Sequence, residues 1–240
     1  MSRTFAATGD PRAPVFWRLG LARAAAAGQG RAMTVDSPEV ARLAAEIRAC
    51  RLCSDRFAAT ATGHRPRPVP WLSAVAPILL CGQAPGARVH ALGRPFDDRS
   101  GDRLRDWLGV DRATFYDRRR FAVLPMAFCF PGYDAAGSDL PPPPICAATW
   151  RRRALAALAG ARLTLLIGGH AIAWHLPGRR SVRDSVAAWR EAPPGLLPLP
   201  HPSWRNTAWL RRNPWFETEL LPVLRARVAA LLSPQEAPAR

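Results

Sequence analysis

Two groups of residues in this 240-residue chain are of types and spacings that could do chemistry. The first group is four short segments rich in Gly, Pro and His. They are Gly82-Gln83-Ala84-Pro85-Gly86, Cys129-Phe130-Pro131-Gly132, Gly168-Gly169-His170 and His201-Pro202-Ser203. Glycine lets a backbone approach a ligand closely, and histidine brings a ring that can donate or accept a proton near neutral pH. The second group is the cysteines. Cys50 and Cys53 form a C-x-x-C, and Cys129 and Cys146 bracket a Pro-rich loop of sixteen residues, Phe130–Ile145. Five Cys without an export signal argue for a reducing compartment, hence for metal ligands or buried thiols over disulfides. A structural zinc and plain buried thiols both account for the four. Cys81, inside an apolar run, reads as a buried small hydrophobe.

These segments need elements to hold them. Four apolar runs, Pro77–Cys81, Phe121–Ala127, Leu163–Ile167 and Leu196–Leu199, read as short buried strands, each ended by Gly, Pro or polar residues. Helical patterns lie between them. Asp36-Ser37-Pro38-Glu39 is a helix start with Asp36 as the cap, and Val40, Leu43, Ala44 and Ile47 share one face. Ser100 caps a helix with Leu104, Trp107 and Leu108 inward. Residues 147–159 form an Ala-rich helix and residues 170–176 a short one. A last helix starts near Asn213-Pro214, with Leu220, Leu224, Val228 and Leu231 inward and a kink at Pro222. Buried strands alternating with helices predict an α/β fold, a three-layer αβα sandwich around a short central parallel four-stranded sheet. Each Gly/Pro/His segment follows one strand. Ligands of open α/β sheets bind beyond the carboxyl ends of the strands, so the four segments are expected to build one site.

The formal charge is +16, carried by 34 basic residues that are all Arg. Such a chain suits a polyanionic partner, nucleic acid before an anionic membrane surface. No run of eighteen or more apolar residues is present, so no membrane span is expected. Residues 1–32 read as a disordered N-terminal extension, with Met33 as an alternative translation start; without them the charge is still +12. A single domain is expected over residues 33–235, followed by a tail, 236–240, in a cytoplasmic protein.

The strand ending in Gly82-Gln83-Ala84-Pro85-Gly86, followed by Gly93-Arg94-Pro95-Phe96 and Ser100-Gly101, resembles the first motif region of the uracil-DNA glycosylase superfamily, nearest its iron–sulfur bacterial and archaeal branches. His201-Pro202-Ser203 is similar to the second motif, and Leu165–Ala171 fits a strand-to-helix segment of the family. The resemblance covers about Cys50 to Leu224. It implies hydrolysis of the N-glycosidic bond of uracil, or of another deaminated base, in DNA during base excision repair, by a monomer. It also implies that Cys50, Cys53, Cys129 and Cys146 ligate a [4Fe–4S] cluster. Gly82, Ala84, Pro85, Gly86, Phe96 and Ser203 would bind the substrate, with Phe96 stacking on the extruded base. His201 would donate a hydrogen bond to the charge developing on that base.

Two departures bear on the activity. Many members carry a carboxylate at the second or third position of the first motif, where this chain has Gln83 and Ala84. Gln83 can position a water and cannot take its proton, so Asp98 or Asp97 becomes the expected water-activating group. Related enzymes read uracil with an Asn shortly before the third Cys; here Pro125 stands near that position, which opens hypoxanthine and xanthine as substrates. Trp204, Arg205 and Asn206 are expected at the DNA, with Trp204 or Arg205 filling the gap left by the flipped base. Trp209, Arg211, Arg212 and Trp215 extend that segment, and Arg118–Arg120, Arg151–Arg153 and Arg179-Arg180 are further phosphate candidates. The alternative is a protein of this fold that binds lesions or abasic sites with little catalysis.

Overall fold

A computed structural model describes residues 34–176, 178 and 181–233. The proposed extension 1–32, the tail 236–240 and Arg179-Arg180 lie outside the described residues.

The chain enters through helix α1 (Pro38–Ala49) and a short α2 (Ser54–Ala58). Strand β1 (Ile78–Cys81) leads to α3 (Ala87–Leu92), α4 (Arg99–Leu108) and α5 (Arg112–Tyr116). Strand β2 (Phe121–Val123) is followed by the Pro-rich loop and α6 (Pro144–Ala157). Strand β3 (Leu163–Ile167) leads to α7 (Gly169–His175) and α8 (Val182–Ala187). Strand β4 (Leu196–Leu199) gives way to α9 (Thr207–Arg212), a π-helical turn at Phe216–Leu220 and α10 (Leu221–Leu232).

The sheet is wholly parallel in the order β2-β1-β3-β4, flanked by helices, as the apolar runs require. Its strands are almost entirely buried, which explains why they read as continuous apolar runs without alternation. β2 is shorter than its apolar run. Leu124 and Met126 still donate to the Leu80 and Gly82 carbonyls, and Pro125 takes the alternate position, whose N–H would face away from β1. Because β1 connects to β2 on one side and β3 to β4 on the other, the order reverses between the central strands, and a crevice opens there at their carboxyl ends.

The helix faces match their patterns. Val40, Leu43, Ala44 and Ile47 of α1 are buried, as are Leu104, Trp107 and Leu108 of α4. Two caps differ from expectation. Ser37, not Asp36, caps α1 by accepting from the Val40 N–H, while Asp36 pairs with Arg118. Asp98, not Ser100, caps α4 by accepting from the Gly101 N–H at 2.8 Å. Near Pro222 the helix absorbs the missing hydrogen bond in the π-helical turn directly before it. Leu220, Leu224 and Val228 are buried and Leu231 packs at the core margin. Among the described residues, no helix is long and apolar enough to cross a membrane.

Candidate active site

A cleft of about 430 Å³ opens at the strand ends, within the range typical of small-molecule sites. Gly82 through Gly86 form one wall after β1, Val123 and Pro125 contribute the end of β2, and His201, Ser203, Trp204 and Arg205 close the side after β4. Phe96, Asp98, Ser100, Pro131 and Asp139 complete it. Three of the four expected segments thus meet here. Gly168 instead supports the site from behind: a Cβ there would stand 3.6 Å from His201 Cβ, and its φ of +79° favours glycine. His170 is exposed and does not line the cleft.

Phe96 is held in an uncommon backbone state. It is the one described non-glycine residue with positive φ, at 55°. The turn it makes folds its carbonyl over the start of α4, where a Cβ on Gly101 would fall 1.7 Å from that oxygen. Gly101 is therefore required by Phe96, and the backbone strain is local to the cleft, as is common at functional sites. The Phe96 ring meets Phe115 edge-on at 6.1 Å and packs toward Gly82.

His201 is mostly enclosed. Burial pushes its pKa below the ordinary 6.5, against the opposing pull of the Asp98 and Asp139 carboxylates. The ring is therefore neutral through the physiological range and presents one N–H donor. Two side chains hold its loop. Asn206 donates to the His201 carbonyl at 2.7 Å, and Arg103 of α4 donates to the Ser203 carbonyl at 2.9 Å. Asn206, expected at the DNA, thus has its amide committed to positioning His201. Arg103 was not visible as a site residue, because nothing in its local sequence signals a partner one hundred positions away.

The adjacent carboxylates part company. Asp98 points to the cleft while one of its oxygens caps α4. Asp97 does not line the cleft; Arg112 binds it at 2.8 Å and Arg94 lies 3.7 Å away. The hydrogen bond from Arg112 holds its carboxyl below the usual range. Asp139 is a cleft carboxylate that sequence reasoning missed. It is carried in by the Pro-rich loop, where Asp134 accepts from Ala136 and Ser138 and Tyr133 bridges to Asp139.

Several expected DNA contacts have other duties. Trp209 and Trp215 pack edge-on at 5.9 Å and join Phe216 in a half-buried aromatic cluster. Arg118 pairs with Asp36, Arg119 and Arg120 with Asp117, and Arg153 with Glu46. Arg151 is buried, 1 % exposed. Trp204 remains free for a large partner at 75 % exposure, beside exposed Arg205.

Cys50, Cys53, Cys129 and Cys146 all line a second cavity, between the end of α1, the Pro-rich loop and the start of α6. All five Cys are free, and Cys81 is buried in β1 away from the others. The rest of that cavity is apolar, from Ile47, Phe57, Phe128 and Trp150 among others. Burial, reinforced by the neighbouring thiol of Cys146, pushes Cys129 up to about 12, and burial pushes Cys146 to about 11. The Phe128 N–H donates to Cys146 Sγ at 3.4 Å. Among the described residues, no group of three or more His, Cys, Asp or Glu side chains is arranged to hold a metal ion. What the four thiols share is the cavity, and four soft donors in an apolar shell suit a thiolate-ligated metal group chemically.

The doubly wound sheet thus brings a strained aromatic, an enclosed His and two carboxylates into one switch-point cleft. The family model for the uracil DNA glycosylase superfamily matches residues 69–225, more than half the chain, and the protein belongs to that superfamily. Its general activity is therefore of the DNA-glycosylase type, with DNA as the partner.

Proposed function

We propose that the protein is a monofunctional glycosylase that hydrolyses the N-glycosidic bond of uracil in DNA, and accepts other deaminated bases, acting as a cytoplasmic monomer in base excision repair. The observation that carries this reading is the meeting of Phe96, Asp98 and His201 in one cleft. A base extruded from the duplex stacks on Phe96, and the segment Gly82–Gly86 lies close enough to meet its edge with backbone groups. As the bond between the sugar and the base breaks, its electron pair passes to the base. The His201 N–H donates to the base oxygen on which charge grows, an interaction of a kind that contributes about 10²–10³ in rate. Asp98 uses the oxygen not engaged in capping to orient a water and take its proton as the water attacks the cationic sugar. Gln83 helps position that water, and Asp139 adds negative charge near the sugar. The chain has no Lys, so a lysine Schiff base to the abasic sugar is excluded, in keeping with hydrolysis by water. Pro125 offers no side-chain amide to read uracil, which supports a broader base range. Trp204 and Arg205 stand at the rim where a side chain would fill the gap in the duplex.

Cys50, Cys53, Cys129 and Cys146 would hold a [4Fe–4S] cluster, which when bound supplies structural cross-linking to this domain. Cys129 heads the loop that carries Pro131 and Asp139 to the cleft, so anchoring it fixes one wall of the site. A structural zinc is the competing occupant. Anaerobic purification with iron, sulfide and zinc quantification decides between them; colourless protein with zinc and no iron refutes the cluster.

One observation favours the second reading, a lesion or abasic-site binder. The motif position of Gln83 cannot ionise, and Asp98 has one oxygen committed to α4. End-labelled duplexes carrying uracil, hypoxanthine or xanthine, treated with enzyme and then alkali, separate the two. Strand scission at uracil supports the glycosylase. No scission on any substrate, together with tight binding to abasic DNA, supports the binder.

A further inference from the structure

Arg151 is the bulkiest fully buried side chain among the described residues, and no described carboxylate pairs with it. Isolated buried cations are costly, so one that persists without a counter-charge calls for an explanation. Its neighbours are neutral dipoles. One guanidinium nitrogen donates to the Pro125 carbonyl at 3.2 Å and approaches that of Leu124 at 3.4 Å. The other meets His175 Nε2, and the guanidinium lies over the Trp174 ring at 4.6 Å. Arg151 Nε has no partner. His175 cannot share the charge, because burial and then Arg151 itself push its pKa down to about 3. Cys81, buried in β1, is pushed toward its neutral form by burial, against the opposing pull of the Arg151 charge.

Two of these neighbours adjoin the cleft at the strand ends. Pro125 forms part of its wall, and Cys81 directly precedes Gly82. We propose that Arg151 is an electrostatic positioning residue whose charge, acting through the Leu124–Pro125 carbonyls and the cleft floor, stabilises the anion of the departing nucleobase. The anion supplies, during bond cleavage, the counter-charge that the folded chain lacks. This rests on the glycosylase reading above. Arg151 touches no substrate atom; its field across a poorly polarisable wall adds to the His201 hydrogen bond. The same helix carries Cys146, whose thiol also feels Arg151. A role confined to the cysteine cavity is therefore the rival explanation.

The dependence of rate on the leaving base separates the two. 5-Fluorouracil leaves as a more stable anion than uracil and needs less help. Single-turnover rates on duplexes carrying each base are compared for wild type, Arg151→Met and Arg151→Lys, with metal content measured alongside. Arg151→Met should lose roughly tenfold more rate on uracil than on 5-fluorouracil, and Arg151→Lys should recover most of that difference. The ratio is internal to each variant, so a partly unfolded preparation does not mimic it. Equal losses on both bases, or loss of metal with an unchanged ratio, would overturn the proposal. A second measurement needs no variant. At alkaline pH, where free 5-fluorouracil is more ionised than free uracil, wild type should bind 5-fluorouracil roughly tenfold more tightly. Equal or weaker binding contradicts a cation behind the floor. Absence of base release by wild type on any substrate would instead count against the glycosylase reading, and the free-base measurement repeated with Arg151→Met, which should lose the preference, would still judge Arg151.

Discussion

The two cavities of this protein are built from opposite materials. The cleft at the strand ends gathers backbone amides, a His and two carboxylates, and tolerates a residue with positive φ to present Phe96. The cysteine cavity, beyond its four thiols, is apolar, and burial pushes Cys53, Cys129 and Cys146 toward their neutral form. On the proposed reading, the first stabilises charge that appears during bond cleavage, and the second would hold a metal group on thiolates. They share one piece of chain. Residues 129–143 begin at a thiol of the second cavity and deliver Pro131 and Asp139 to the first. The comparison implies a division of labour, chemistry in one cavity and architecture in the other, and variants in each should separate rate from stability.

Between the two cavities, the clearest separation is expected from His201→Ala set against Cys146→Ser. The single-turnover rate of His201→Ala should fall by about 10²–10³ while the melting temperature stays near wild type, since the ring spans cleft and rim and not the core. Cys146→Ser should do the reverse, with lost metal, a lower melting temperature and a smaller drop in the rate of the protein that remains folded. A Cys146→Ser protein with full metal content and unchanged melting would break the division.

The pH behaviour sharpens the contrast further. Because burial lowers the His201 pKa, any inflection of the rate–pH profile that comes from this ring should lie below 6.5. An inflection near 6.5 that disappears in His201→Asn would show a ring that titrates normally. Stability responds through a different histidine. His175 has a folded pKa of about 3, below the ordinary 6.5, so the unfolded chain takes up its proton first. Stability from this group is fully present above 6.5 and is lost as pH falls toward 3, by roughly 5 kcal/mol in all. His175→Gln, which keeps an acceptor for Arg151, should flatten that part of the denaturation profile.

Much of the frame was legible from local patterns. The four strands came from apolar runs, and the cleft followed from the rule that ligands bind at strand ends. The divergence of Asp97 and Asp98 was not legible. It depends on which carboxylate meets the Gly101 N–H, and that is set by the Phe96 turn, whose positive φ has no sequence mark except the glycine it demands. Arg151 sits in a run of three Arg and reads as surface charge. Only the packing of α6 against the strand ends reveals that it is buried while Arg153 pairs outward with Glu46. Asp139 hides in a loop whose fold rests on Asp134 bonding to its own turn. Asn206 belongs to a segment rich in aromatics and cations, yet serves the His201 carbonyl.

The smallest effect expected is at the rim. Trp204→Ala should leave melting unchanged, because the ring is exposed, and weaken binding to abasic duplex by roughly 1–2 kcal/mol as the gap in the stack goes unfilled. Unchanged affinity would assign the wedge to Arg205.

The central claim is that the cleft performs hydrolysis with Asp98 as the group that activates water. The most direct measurement compares Asp98→Asn with Asp97→Asn in single turnover on a uracil duplex, with melting temperatures recorded for both. Asn caps a helix about as well as Asp, so Asp98→Asn keeps the bond to Gly101 and removes only the proton acceptor. The account predicts a rate loss of about 10²–10⁴ for Asp98→Asn without loss of stability. It predicts a rate near wild type for Asp97→Asn, with weakened pairing to Arg112 and Arg94. Full activity in Asp98→Asn, or a larger loss in Asp97→Asn, would contradict it.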